Sequence, residues 1–226
     1  MGILRNLYVR LRGLWLYRAS LPRLSARAET SAILEPRFSM RQSLGSSKHV
    51  SEKRKNLSVA ITKMGQVFLA PGDEFSFWQR IGLPDSKVGF VKSRVILRGR
   101  EAFAEGGGLC QLSGLIYLLA LQSGLEVRER HPHSIDLYAS GPRYAPAGSD
   151  ATVVYGYKDL RIRNTLRGAV CMKFYLGPND LSVELSSELP LPSRTLTFAV
   201  DGDRVSTWAA ASDGRMELLW SDLIRL

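Results

Sequence analysis

The stretch that decides the fold is 106-GGGLCQLSGLIYLLALQSG-124, in which three glycines precede a long apolar run. The apolar residues of this run recur on every side of a helix, which predicts a helix over residues 110–123 that is buried on most of its circumference. Gly124 suits its C-terminal cap, where a left-handed residue is favoured. We therefore expect this helix to lie at the centre of the hydrophobic core.

Segments outward from this helix alternate in polarity or are bounded by turn residues, which predicts several strands. They are residues 74–78, 91–97, 127–129, 134–138, 151–157, 160–163 and 170–176, with a hairpin of 195–200 and 205–208. Ser51 is the expected N-cap of a helix over residues 52–64. The pattern predicts an α+β fold, a mostly antiparallel sheet packed on a central buried helix that begins at Cys110. We divide the chain into a basic arm (1–45), a main domain (46–186) and a C-terminal hairpin extension (187–226).

The positive charge is concentrated in the N-terminal part of the chain. The formal net charge is +10, and residues 1–55 contain 12 Lys and Arg against 3 Asp and Glu. Arginines interrupt the apolar residues of the arm, which argues against a signal peptide and a membrane span. Those apolar residues recur at helical spacing, so the arm would either lie on an anionic membrane surface or pack on the domain. Nucleic acid is not an expected partner, because the basic residues are not interleaved with stacking aromatics.

The two cysteines, Cys110 and Cys171, are too few for a disulfide framework. Since no secretory signal is in view, a reducing compartment is the simpler expectation. We expect a cytoplasmic protein, at most peripheral to the inner face of the membrane. Cys171 lies between Val170 and Met172 and is expected to be a core residue.

Cys110 stands in the first turn of the predicted central helix. Unpaired backbone N–H groups and the positive end of the helix dipole both favour a thiolate at such a position. Gly106, Gly107 and Gly108 allow a substrate carbonyl to approach the main chain, where N–H groups could form an oxyanion hole. Gln111 could add a side-chain donor. This arrangement is typical of a nucleophilic cysteine.

A base and an orienting group follow the cysteine in the sequence. His131 and His133 stand at the start of a predicted strand, and we assign His133 as general base and acid and His131 to substrate contact. Asp150 and Asp159 are the carboxylates available to orient the imidazole, and Asn164 could replace them. Asp150 is preferred because it opens the strand that follows the His133 strand. This order is loosely similar to the cores of transglutaminase-like and papain-like cysteine enzymes.

Other interpretations of the same residues stay open. Cys110 could be a small buried hydrophobe, and His133 could be a structural histidine. Cys110, His131 and His133 could supply three ligands to zinc, although no fourth ligand has the usual spacing. A phosphate loop is not expected, because no Lys-Ser/Thr pair follows the glycines. We therefore predict a site without metal or cofactor.

Several motifs between residues 56 and 164 recur together in one known family. They are Pro71-Gly72-Asp73-Glu74-Phe75-Ser76-Phe77-Trp78, Gly82, Gly89-Phe90, Gly106-Gly107-Gly108-Leu109-Cys110-Gln111-Leu112-Ser113, Glu129-Arg130-His131-Pro132-His133-Ser134, Ala151-Thr152-Val153, Asp159-Leu160 and Asn164. Through them the chain resembles the VanW-like family, which is named for an accessory gene of glycopeptide-resistance clusters. The resemblance covers about half of the chain and is to the short form without a signal peptide.

Two hypotheses of function follow. The first is a cysteine-dependent enzyme that hydrolyses an amide or transfers an acyl group of a cell-wall precursor peptide, with Cys110, His133 and Asp150 as catalytic residues. The second is a non-catalytic module that binds a peptide or glycan through the glycine loop and the aromatic residues Phe75, Phe77 and Trp78. The residues predicted to bind substrate are Gly106, Gly107, Gly108, Gln111, His131, Ser134 and Trp78.

Overall fold

A computed structural model describes residues 2–18, 35–97, 100–133, 146–210 and 214–223. Ser134 and the strand predicted over residues 134–138 lie outside the described residues. The helices are α1 Gly2–Arg18, α2 Val50–Met64, α3 Phe77–Ile81 and α4 Leu109–Ser123, with a 3-10 turn at Ser86–Val88. The strands are β1 Glu35–Ser43, β2 Val67–Leu69, β3 Glu74–Ser76, β4 Lys92–Leu97, β5 Arg100–Glu105, β6 Glu126–Glu129, β7 Arg161–Arg163, β8 Val170–Leu176, β9 Asp180–Ser187, β10 Thr195–Asp201, β11 Arg204–Ala210 and β12 Met216–Leu223.

The described strands form four antiparallel sheets around one buried helix. Their orders are β1-β9-β8-β2, β3-β7-β6, β4-β5 and β10-β11-β12. Helix α4 contacts β1 and β9 of the four-stranded sheet and β6 of the β3-β7-β6 sheet. Eleven of the 15 residues of α4 are buried, and Gly124 ends the helix with φ +77°. The α+β prediction with a central buried helix is confirmed.

Two predicted strands differ from the observed structure because side chains take backbone hydrogen bonds that a strand would need. Strand β3 stops at Ser76, whose hydroxyl accepts a hydrogen bond from the Gln79 N–H and caps helix α3. Residues 151–157 contain no strand, only an isolated bridge between Val154 and Lys158. The Ala151 carbonyl accepts instead from the Ser113 hydroxyl, at 2.6 Å.

Other differences concern element bounds and strands that the sequence pattern did not predict. Helix α2 begins at Val50 with His49 as N-cap, two residues before the predicted start after Ser51. Strands β1, β2, β5, β9 and β12 were not predicted. Strand β1 lies within the segment assigned to the basic arm, and it pairs with β9 from Glu35 to Ser43. The segment 35–43 is thus part of the main sheet.

Candidate functional site

Cys110 lies in the first turn of α4, directly after a turn that requires glycine. Gly106 and Gly108 have φ values of +80° and +95°, in the left-handed region. A Cβ on Gly107 would lie 2.7 Å from the Arg94 carbonyl oxygen, so no larger residue fits against this part of β4. The Cys110 side chain is partly exposed, and its Sγ lies 3.9 Å from the Val153 carbonyl oxygen. The glycines therefore set the backbone path that leads to the cysteine.

Asn56 of α2 holds the glycine turn in place. Its side chain is fully buried, and its Nδ2 donates to the carbonyls of Gly107 and Val91, both at 3.0 Å. The Val91 N–H donates to its Oδ1 at 2.8 Å. No sequence motif pointed to Asn56. The available signal was its position four residues before Ala60, where a polar side chain falls on the buried face of a helix.

His133 and Asp150 are brought together next to Cys110. The Nδ1 of His133 contacts Asp150 Oδ2, and the backbone N–H of His133 donates to the same oxygen at 2.7 Å. Cys110 lies close enough to this imidazole to contribute to raising its pKa. His133 follows the end of β6 and is not itself in a strand, and the strand predicted to follow it lies outside the described residues.

The charges at this cluster stabilise one another. Burial alone lowers the pKa of His133, but its hydrogen bond to Asp150, the proximity of Cys110 and the negative charge of Asp150 raise it to about 10. Burial acts to raise the pKa of Asp150, but His133 and Arg130 together bring it below its ordinary value. The imidazole is thus stabilised as a cation and the carboxyl as an anion at neutral pH.

Arg130 holds Asp150 in place through hydrogen bonds to its segment. Its guanidinium is completely buried, and it donates from Nε to the Asp150 carbonyl and from Nη2 to the Gly148 carbonyl, each at 2.7 Å. Its Nη2 is also 3.4 Å from Asp150 Oδ1, and its Nη1 pairs with Asp222. The guanidinium carbon lies 4.9 Å from the centre of the Tyr117 ring. In the sequence, Arg130 stands out only as part of a motif, because its partners are distant along the chain.

The alternative orienting groups are engaged elsewhere. Asp159 is buried and accepts hydrogen bonds from the Ser76 hydroxyl and from the Trp78 and Leu160 N–H groups. Burial raises its pKa to about 7. Asn164 donates from Nδ2 to two backbone carbonyls, at 2.9 and 3.0 Å. Both residues hold loops together, and the structure brings only Asp150 to His133.

Three residues predicted to bind substrate have partners within the protein. Gln111 donates from Nε2 to the Ser43 carbonyl at 2.7 Å. His131 Nε2 lies 3.0 Å from Glu129 Oε1. Trp78 is only 3% exposed, and its indole N–H donates to the Lys158 carbonyl at 2.8 Å.

Phe75 and Phe77 are fully buried beside Trp78. These three aromatic residues therefore belong to the core and do not form a recognition surface. Cys171 is also buried, and burial raises its pKa.

Two properties of the described residues concern metal binding and membrane spanning. In these parts of the chain, no group of three or more His, Cys, Asp and Glu side chains could hold a metal ion. No helix within the described ranges is both long and apolar enough to cross a bilayer.

Comparison with known proteins identifies relatives of this chain. It is 28% identical over 109 residues to the vancomycin B-type resistance protein VanW of Enterococcus faecalis, covering 48% of this chain and 40% of that protein. It is 31% identical over 139 residues to the uncharacterized protein YoaR of Bacillus subtilis, covering 62% of this chain and 44% of that protein. The chain thus spans less than half the length of either relative.

No solved structure matches the chain, so the likeness to transglutaminase and papain cores stays a prediction. The model of the family described as VanW like protein matches residues 52–186. Cys110, His133, Asp150 and Arg130 all lie inside this range. Because the match covers more than half of the 226 residues, the chain belongs to the VanW-like family.

Proposed function

We propose that the protein is a cysteine-dependent enzyme that cleaves or transfers an acyl group at an amide bond. The proposal depends on one observation: the His133 imidazole forms a hydrogen bond to Asp150 through Nδ1 and interacts with Cys110. A cysteine, an imidazole and an orienting carboxylate in this order form the arrangement that prepares a thiolate for attack.

Each residue has a distinct part in the proposed reaction. The Cys110 thiolate attacks the amide carbon, so that a C–S bond forms and the carbonyl oxygen becomes an oxyanion. The backbone N–H of Cys110, in the first turn of α4, is the proposed donor to that oxygen. The C–N bond then breaks, and the leaving amine takes the proton of the His133 imidazolium. Asp150 keeps the imidazole oriented and stabilises its charge.

A second half-reaction releases the acyl group. His133, now neutral, takes a proton from water or from an acceptor amine, and the resulting nucleophile attacks the thioester carbon. The C–S bond breaks and the thiolate returns beside the imidazolium. Water gives hydrolysis, and an amine gives acyl transfer. Which of the two occurs depends on the acceptor that reaches the thioester.

The proposed substrate is a peptide of a cell-wall precursor. This part of the proposal is supported by family membership and by the printed name of the Enterococcus faecalis relative, which is a vancomycin B-type resistance protein. The rival proposal, a non-catalytic peptide or glycan module, needs an exposed recognition surface. The burial of Phe75, Phe77 and Trp78 removes the aromatic residues on which that rival depended.

The test measures turnover of candidate peptides by the protein and its variants. Peptides released from bacterial cell wall and its precursors are incubated with the full chain, and mass spectrometry follows their cleavage or acyl exchange. Cys110→Ser and His133→Ala are expected to abolish any such change, and Cys171→Ser is the matched control that keeps it. If Cys110→Ser converts the peptides as fast as the unaltered chain, the catalytic role is wrong.

A further inference from the structure

The C-terminal sheet of β10, β11 and β12 begins after the last residue matched by the family model, at 186. Alternate residues of β11, from Val205 to Ala209, are buried, so one face of this sheet lies against the rest of the protein. In β12 the one buried residue is Asp222. A buried carboxylate among exposed neighbours is costly unless it has a charged partner.

Val205 and Asp222 approach the segment that carries Asp150. They are opposite each other in the antiparallel register of β11 and β12, so their side chains are on the same face. Val205 packs against Gly148, which has φ +81°; a Cβ there would be 2.7 Å from Val205 Cγ1. Asp222 pairs with the guanidinium of Arg130.

Arg130 connects the two carboxylates. It pairs with Asp222 on one side, and on the other it donates to the Gly148 and Asp150 carbonyls and approaches Asp150 Oδ1. The guanidinium side chain is 0% exposed, so solvent does not screen these interactions. Asp222 balances the charge of Arg130, and this leaves the charge of Asp150 available to His133.

We propose that the C-terminal sheet completes the site, with Asp222 and Val205 acting as positioning residues that hold Asp150 opposite His133. The catalytic importance of this positioning role rests on the proposed function. The positioning itself can be tested separately. Neither residue touches a reacting atom. Their effect passes through Arg130 and through the packing of Gly148.

The charges that face Asp150 determine what loss of Asp222 would do. They are the His133 imidazole and the Arg130 guanidinium, and the Tyr117 hydroxyl also interacts with this carboxylate. Without Asp222, the charge of Arg130 is opposed by Asp150 alone. The guanidinium then competes with His133 for that carboxylate, and the imidazole binds its proton more weakly.

Nuclear magnetic resonance of the histidine side chains provides the direct readout. The full chain contains three histidines, so their ring signals can be assigned by single substitutions and titrated with pH. Asp222→Asn is expected to lower the pH at which His133 titrates by roughly one pH unit, a tenfold loss of proton affinity. Asp222→Glu should restore most of it. Glu217→Gln, which removes an exposed carboxylate from the same strand, is the matched control.

Val205→Ala keeps the test valid if Asp222→Asn does not fold. It changes no charge and removes two methyl groups from the contact with Gly148, so a smaller fall in the same direction is expected for His133. Titrations of Val205→Ala and of any folded Asp222→Asn that superimpose on those of the unaltered chain and Glu217→Gln would overturn the proposal.

Alkylation of Cys110 by iodoacetamide separates this inference from the proposed function. If Cys110 reacts no faster than Cys171, the cysteine mechanism fails, yet the His133 titrations still test the role of the C-terminal sheet. If Cys110 reacts quickly but His133 titrates at the same pH in the Asp222 and Val205 variants, the mechanism stands and the positioning role is wrong. A parallel fall in His133 proton affinity and in Cys110 reactivity at neutral pH supports both.

Discussion

Replacing Asp150 with Asn removes the negative charge that faces His133 and keeps the size of the side chain. The pKa of His133 lies at about 10, compared with an ordinary value of 6.5. At about 1.4 kcal/mol per pH unit, this difference corresponds to roughly 5 kcal/mol in favour of the charged imidazole. Asp150 and Cys110 supply it against the opposing effect of burial.

If Asp150 supplies about half of this energy, His133 in the Asp150→Asn variant should titrate near pH 8. The thiolate beside the imidazolium would then be less populated relative to the neutral pair. Because each pH unit of proton affinity is a factor of ten, the alkylation rate of Cys110 near pH 6 should fall by roughly 10- to 100-fold. The rate at high pH, where any thiol ionises, should change little.

Iodoacetamide modification of the Cys110 peptide, followed by mass spectrometry across about pH 5 to 9, measures this profile. Buried Cys171 is the internal control in each sample. Asp203→Asn, on the exposed turn of the C-terminal hairpin, is the control for a loss of charge. Rates in Asp150→Asn within about twofold of those in the unaltered chain would refute the assignment of Asp150 as the orienting acid.

Four further predictions concern stability and surface binding. Since the pKa of His133 is raised on folding, its stabilisation is complete below pH 6.5 and is lost as the pH rises through about 10; urea titrations should show a flatter pH dependence for His133→Ala in that window. Arg130→Ala should lower the free energy of unfolding by about 3–5 kcal/mol, because a buried carboxylate loses its partner, and a loss below about 1 kcal/mol would contradict this. Gly107→Ala should cost about 1–3 kcal/mol by denaturant unfolding, because its Cβ would meet the β4 backbone. Leu11 and Trp15 of α1 are 56% and 67% exposed. If the arm binds lipid, changing both to Ser should reduce co-sedimentation of the protein with anionic vesicles. Equal pelleting of the variant and the unaltered chain would count against that binding.

Local pattern was sufficient to predict the cysteine end of the site. The glycines before Cys110 and the apolar run after it predict a tight turn and a buried helix, and both depend on residues close in the sequence. The strand β9 carried a usable signal too, since Leu181, Val183 and Leu185 alternate and are all fully buried. Strand β1 has a shorter alternation, in which Phe38 and Met40 pack on the core between exposed polar residues, and its place in the sheet depends on pairing with β9.

Local pattern supported only a preference for Asp150, and that preference depended on a strand over residues 151–157 that does not form. Asp150 and Asp159 both follow His133 within a short stretch of sequence. The residues that flank them do not show which of the two contacts the imidazole. Asp159 turns toward Ser76 and the start of α3, while Arg130 holds the backbone on both sides of Asp150. Those partners come from distant parts of the chain.

The sequence by itself determined the family, the α+β class, the central helix and the placement of Cys110 at its start. Only the tertiary structure decided which carboxylate faces His133, that Trp78 belongs to the core, and that Asp222 pairs with Arg130 across 92 residues of chain. The physical reason is the range of the interactions. Helix starts and apolar faces follow from neighbouring residues, whereas a buried charge finds its partner only after the whole chain has packed and excluded water.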